Sequence, residues 1–255
     1  MNPRIKQIAA IVSLGLAGAA SAAPLTLSVS DTWQGLTASG SASLSFSADL
    51  LGALDTGKIA IANYGAATST VVKDSDGFYE SATASAPLVS LTFDDVSREV
   101  LGVASTGGMT LTAPVLKSVS SGGSLVVTNL HADLATKVVY ATIIGGNGVG
   151  QIDDFALWNF TTLTGGTNIQ GVGTYNNTIS GMTLTDTGFT TFSQSLGLLK
   201  LGVSAMKGIT DYGTITSQII ASAAPSVPEP STYALMGLGL VGVMLSTRNK
   251  QPLAA

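Results

Sequence analysis

Short runs in which small polar residues alternate with apolar ones constrain this chain more than any other feature. Ser41-Ala42-Ser43-Leu44-Ser45-Phe46-Ser47 and Thr26-Leu27-Ser28-Val29-Ser30 alternate strictly. Successive side chains of a strand point to opposite faces, so such a run makes one buried and one polar face and does not make a helix. Similar runs cover 58–62, 88–93, 109–112, 124–128, 137–144, 156–160, 177–184 and 213–220. Between them lie Gly107-Gly108, Gly122-Gly123, Gly145-Gly146 and Gly165-Gly166, which read as turns. Many short strands punctuated by glycine predict an all-β, sandwich-like domain. No fixed repeat period appears, which argues against a solenoid.

Two segments break the alternation. Ser47 caps a helical pattern through Leu54 that Gly57 closes, and 186–197 places Phe189, Phe192 and Leu196 on one face. Both are expected to be short helices that follow a strand. The shared strand, cap and helix order at 44–54 and 182–196 is compatible with a distant duplication, although the sequences match poorly.

The two ends read differently from the body. Arg4 and Lys6 precede an uncharged apolar stretch at 8–20, and Ala20-Ser21-Ala22 supplies the small residues that signal peptidase requires. Residues 1–22 are therefore expected to be a signal helix cut after Ala22. At the other end, Val227-Pro228-Glu229-Pro230-Ser231 is stiff, because each proline fixes φ and removes a donor. An apolar run from Tyr233 to Leu245 follows, and then Arg248 and Lys250. The run is short against the roughly 20 residues of a membrane span, and its glycines are better tolerated in a bilayer than in water. A single hydrophobic helix is expected over 232–247, with Arg248 and Lys250 stopping transfer on the cytoplasmic side and a polar tail at 251–255.

The order Pro-Glu-Pro, apolar run, basic end resembles the PEP-CTERM sorting signal of Gram-negative bacteria. The same tail also goes under the name ice-binding protein C-terminal domain, a label of the tail and not of an activity. The resemblance covers 227–250 and implies a membrane-parked intermediate, cleavage by an exosortase near the Pro-Glu-Pro, and delivery to the cell surface or extracellular matrix. It also implies exopolysaccharide as a partner. The usual arginine cluster is here only Arg248-Asn249-Lys250.

What remains, 23–226, is long enough for a self-sufficient core. Its seven basic residues against fourteen acids leave seven net negative charges, so a nucleic-acid partner is excluded on charge. The chain contains no cysteine, so an exported domain of this kind is held by its core alone.

Candidate chemistry is sparse. His131 is the single histidine, no Gly-x-Ser-x-Gly elbow accompanies it, and a zinc site needs more nitrogen or sulfur ligands. In Asn129-Leu130-His131 it reads as an outward strand residue. The pairs Asp94-Asp95 and Asp153-Asp154 do not converge if they lie on strands, whereas a glycosidase needs two facing carboxylates. Calcium is a candidate ligand at Asp74-Ser75-Asp76-Gly77 with Glu80, and near Asp153 and Asp154. Gly145-Gly146-Asn147-Gly148-Val149-Gly150 approaches a calcium β-roll repeat, with Gly150 where Asp is required. Trp33, Tyr64, Phe78, Tyr79, Trp158 and Tyr175 are able to stack on sugars if exposed. Ice binding wants regular Thr-x-Thr rows, and 110–112, 183–185 and 214–216 are irregularly spaced along the chain. Leu184-Thr185-Asp186-Thr187-Gly188-Phe189 is faintly similar to the closing segment of bacterial haem-uptake HtaA domains, with no haem ligand carried across.

These observations lead to the expectation of a non-catalytic surface or matrix protein that adheres to extracellular polysaccharide. The alternatives are a carbohydrate-active hydrolase and a small-ligand or haem-binding module.

Overall fold

The computed structural model describes residues 24–225 and, in the tail, Leu235, Met236, Leu238 and Leu240. In chain order the elements are β1 (Leu25–Ser28), β2 (Thr32–Trp33), β3 (Leu36–Phe46), α1 (Ala48–Thr56), β4 (Ala60–Tyr64), β5 (Thr68–Lys73), β6 (Tyr79–Phe93), β7 (Val100–Ser105), β8 (Gly108–Leu116), β9 (Ser120–Asp133), β10 (Val138–Gly145), β11 (Gly150–Asn159), β12 (Thr162–Gly165), β13 (Gly173–Ser180), β14 (Thr183–Leu184), α2 (Asp186–Ser195), α3 (Lys200–Lys207) and β15 (Gly213–Ala223).

All-β holds, and the sandwich becomes one continuous sheet. Hydrogen-bonded neighbours run β12-β13-β15-β3-β6-β7-β9-β10-β11-β14. β12 continues β11 after Phe160 and Thr161, and β14 continues β13 after Gly181 and Met182. Asn159 pairs with Thr183 and Thr162 with Ser180, so these two runs lie side by side and the ladder returns to its start. Closure into a barrel removes edges that would otherwise pair with other chains. β6 spans the change of partners: up to Pro87 it pairs with β3 and β5, and from Leu88 with β7 and β1. Pro87 has no N–H to give to a ladder and stands where the partners change.

Two glycine pairs that read as turns lie inside the sheet instead. β7 and β8 both run along β9, through 102–104 and 108–116. Gly107 and Gly108 join them without reversing the chain. A Cβ on Gly108 would overlap the Val127 carbonyl oxygen, which is why the position has no side chain. Gly122 and Gly123 belong to β9, and Gly123 lets the backbone of Ser195 come into contact. Gly145-Gly146 does turn the chain, between β10 and β11, and Gly166 follows β12.

Alternation fills the barrel. Leu44, Ala84, Met109, Leu125, Val127, Val139, Ile143, Ile179 and Ile215 are buried in one cluster that extends beneath the helices. Trp33, Leu88, Leu91, Phe93, Val100, Ile169 and Ile219 form a second cluster at the other end of the strands. Ser47 caps α1 by accepting from Leu50 N at 3.1 Å and donates to Asp211 O at 2.6 Å. Thr185 caps α2 in the same way, accepting from Gly188 N at 2.9 Å and donating to Ala156 O at 2.8 Å. Both expected helices form, and each N-cap side chain also ties the helix start to a distant stretch of backbone, the segment before β15 for α1 and β11 for α2. A third helix, α3, was not expected from sequence: its N-cap is Leu199, which offers no side-chain hydrogen bond.

Among the described residues no helix is long and apolar enough to cross a membrane. The signal segment 1–22 with Ala20 and Ala22, the sorting residues 227–231, and Arg248 and Lys250 lie outside the described residues. So does the expected helix 232–247 apart from Leu235, Met236, Leu238 and Leu240, which are helical with exposed side chains.

Candidate functional site

The outer face of β12, β13, β15, β3, β6 and β5 carries hydroxyls in register. Thr164, Thr178, Thr216, Ser43, Ser85 and Thr68 are consecutive cross-strand partners, one per strand. Two residues along, Thr214, Ser45, Thr83 and Thr70 form a parallel row. On the other side lie Asn176, Gln218, Ser41 and Pro87. The intervening residues, Asn177, Ile179, Ile215, Leu44, Ala84 and Ala86, are buried, which fixes the rows on the outside. No charged side chain stands at any row position, although the body is strongly acidic. A shallow depression of about 360 Å³ lies over Ser41, Ser43, Asn176, Thr178, Thr216 and Gln218. Ser43 Oγ lies 3.0 Å from Ser85 Oγ, and Gln218 Nε2 donates to Asn176 Oδ1 at 3.3 Å.

Each strand shows its alternation in sequence, but the alignment across strands does not. Thr214-Ile-Thr216 is irregular against the other Thr-x-Thr pairs along the chain, yet both threonines fall into regular rows with residues from β3, β6 and β5. Thr183 lies instead on β14 and Thr185 caps α2.

A second concavity, about 460 Å³, lies on the far side around Pro24, Thr92, Gly102, His131, Asp133, Tyr140 and Asp154. His131 faces outward as expected and stacks on its cross-strand partner Tyr140, with centroids 4.8 Å apart and ring planes nearly parallel. Asp154 has φ 53°, and this turns its carboxylate to within 3.2 Å of His131 Nε2. Burial raises the pKa of Asp133, but the amides of Thr136 and Ala135 and the nearby His131 outweigh it and hold the carboxyl below the usual range.

The other sequence candidates have local partners. Asp74 Oδ1 accepts from Asp76 N at 2.9 Å and Phe78 N at 2.8 Å, closing the β5–β6 turn. Asp153 accepts from Gln151 Nε2 at 3.0 Å. Asn147 in the glycine-rich loop donates to Gly122 O and Ser195 O, binding that loop to the end of α2. Asp94 accepts from Ser97 N and Val96 N, and these bonds hold its pKa below the usual carboxylate range. Asp95 Oδ1 accepts from Trp33 Nε1 at 2.9 Å. Among the described residues no three His, Cys, Asp or Glu side chains gather as a metal site would require.

The aromatics divide. Trp33 is buried and stacked on Phe93 at 4.6 Å, and Trp158 is buried. Tyr79 donates to Ile59 O with Lys73 over its ring, and Tyr175 is tied to Gly171. Phe78, 56% exposed in the β5–β6 turn, and Tyr64 remain open. Inside the barrel an apolar cavity of about 50 Å³ is lined largely by Ala42, Ala84, Ala86, Leu44, Met109 and Ile215. Ligand pockets are typically several hundred Å³, so this void is far too small for haem.

No curated protein and no solved structure matches the chain. A family model for the PEP-CTERM protein-sorting motif matches residues 226–249. The chain thus carries a PEP-CTERM sorting signal, which directs export and membrane-associated sorting by an exosortase.

Proposed function

We propose that the barrel is a non-catalytic module that associates with extracellular polysaccharide at the cell surface or in the matrix. The observation that carries this reading is the uncharged Ser/Thr/Asn/Gln face on an otherwise acidic body. A hydroxyl both donates and accepts, as sugar hydroxyls do, and each such exchange with water is worth only about 0.5–1.5 kcal/mol. One contact is weak; rows of them against a polymer gain through effective concentration. Exposed Phe78 at the margin offers one stacking ring. On this reading the sorting signal delivers the barrel to a compartment in which such polymers occur. Signal peptidase and exosortase are its processing partners on this reading.

β15 links the two parts. Its last paired residue is Ala223, Ala224 N still donates to Gly35 O, and the sorting match begins two residues later. At about 3.3 Å per residue, Thr214, Thr216 and Gln218 lie roughly 20–33 Å up the strand from that exit. A polymer on the rows is thereby held clear of the anchoring point.

The test is co-sedimentation of the released protein with matrix polysaccharide from the producing cells. Saturable binding above that of an unrelated acidic protein supports the reading, and binding no greater than that control contradicts it. Repeating the assay with calcium and with chelator decides whether Asp74, Asp76, Asp153 or Asp154 contributes a metal site.

A further inference from the structure

We infer that this chain associates with copies of itself end to end, the lysine-bearing end of one barrel docking on the acidic end of the next. Both surfaces lie apart from the hydroxyl rows, so the contact stands whether or not a polysaccharide binds those rows. The most exposed large apolar side chains of the barrel are Val96 and Val115 at 80% and Val172 at 68%. They gather at its two ends.

At one end the β8–β9 hairpin and the start of α3 lie together, because Leu199 N donates to Val119 O at 2.7 Å and Leu201 N to Ser118 O at 3.0 Å. This joins Val115 of the hairpin to Leu199 and Leu201, both exposed, with Lys117 and Lys200 beside them. Segments 113–122 and 197–208 hold these two lysines, Lys207 and no acid, although the body as a whole is acidic. At the other end the β6–β7 turn carries Asp94, Asp95, Val96, Arg98 and Glu99. Trp33 Nε1 ties Asp95 to β2, which Asp31 precedes, and Asn168 Nδ2 donates to Ser97 O at 2.6 Å, bringing in the loop that ends at Val172. That end therefore sets four acids against one arginine. Among the described residues none of Lys117, Lys200, Asp31, Asp94 and Glu99 forms an ion pair.

The strand register separates the two surfaces. β9 leaves the lysine end at Ser120 and runs 14 residues to Asp133, which pairs with Gly102 just short of the β6–β7 turn. At about 3.3 Å per residue that is roughly 45 Å of strand. Each end repels its own kind, since like charges brought into contact cost several kcal/mol. A two-fold dimer through either end is disfavoured, and the pairing that opposes lysine to acid is heterologous. Heterologous contacts that do not close into a ring extend into open chains. The tail leaves from the acidic end, because Ala223 pairs with Leu36 and Leu36 with Trp33. Release of the tail thus frees the end that docks, and an anchored copy keeps its lysine end open to receive a released one.

Sedimentation equilibrium of the released protein tests this. The weight-average mass is expected to rise continuously with concentration, past that of a dimer. It is expected to fall as added salt shortens the reach of the charges below about 8 Å. Leu201→Asp puts a carboxylate where the acidic end docks, and Val96→Lys puts an ammonium where the lysine end docks. Both positions are exposed, and circular dichroism checks that the variants fold. Each alone is expected to weaken association by about tenfold or more, whereas Asn63→Asp on the exposed wall of β4 leaves it unchanged. An equimolar mixture of the two variants is expected to recover association, because each retains the end that the other has lost. A wild type that stays monomeric or stops at the dimer, wild-type association by either variant, or a mixture that stays monomeric overturns the inference.

Discussion

Ser43 and Ser85 bring their hydroxyls to 3.0 Å on adjacent strands at the middle of the outer row, although 42 positions separate them in the chain. Both serines are half-buried on the outer face of the sheet. Replacing both by Ala should change thermal stability by no more than about 1 kcal/mol, and should reduce polysaccharide co-sedimentation. A loss of binding accompanied by a large fall in Tm would instead place these serines in the fold and not in the interaction.

Trp33 anchors the far end of the barrel through its indole N–H to Asp95. Asp95→Ala leaves that donor unpaired in a largely buried position and should cost about 1–3 kcal/mol. Asp95→Asn keeps an acceptor and should cost less than half as much. Chemical denaturation followed by tryptophan fluorescence measures both.

The two capped helices offer a matched pair. Ser47→Ala and Thr185→Ala each remove an accepted and a donated hydrogen bond. Each should destabilise by about 1–2 kcal/mol. The double variant should show nearly the sum, since the caps serve different helices.

Glycine positions that look alike in sequence should respond differently. Gly108→Ala drives a methyl into the Val127 carbonyl and should prevent folding or cost more than about 3 kcal/mol. Gly148→Ala, at φ 83° in the β10–β11 turn with no atom nearby, should cost about 1 kcal/mol from backbone strain alone. Expression yield and circular dichroism distinguish the two.

Burial pushes the Tyr212 phenol up to about 12. The folded state therefore keeps a proton that the unfolded chain releases near pH 10. Stability from this group is complete below pH 10 and is lost as pH rises through 12, by at most about 3 kcal/mol. Comparing wild type with Tyr212→Phe between pH 9 and 12 isolates it, because phenylalanine has no hydroxyl to ionise.

Much of this was legible in the residues. The alternation at 41–47 and 213–220 gave β3 and β15, and the Ser47 and Thr185 signals gave α1 and α2. α3 was hidden because Leu199 supplies no cap. Gly107-Gly108 and Gly122-Gly123 misled because close backbone approach selects glycine as strongly as a turn does. The hydroxyl rows were invisible for a deeper reason. Thr68, Ser43 and Thr216 become neighbours only through strand pairings far apart in sequence, and nothing local encodes that order. Asp154 likewise reaches His131 only because a left-handed backbone turns it there.

The most direct measurement is co-sedimentation of wild-type and Thr178→Glu/Ser85→Glu protein with the same matrix polysaccharide, after circular dichroism has shown both to be folded. The account predicts saturable binding by wild type and binding at the level of an unrelated acidic protein for the variant. Equal binding by the two folded proteins would contradict it.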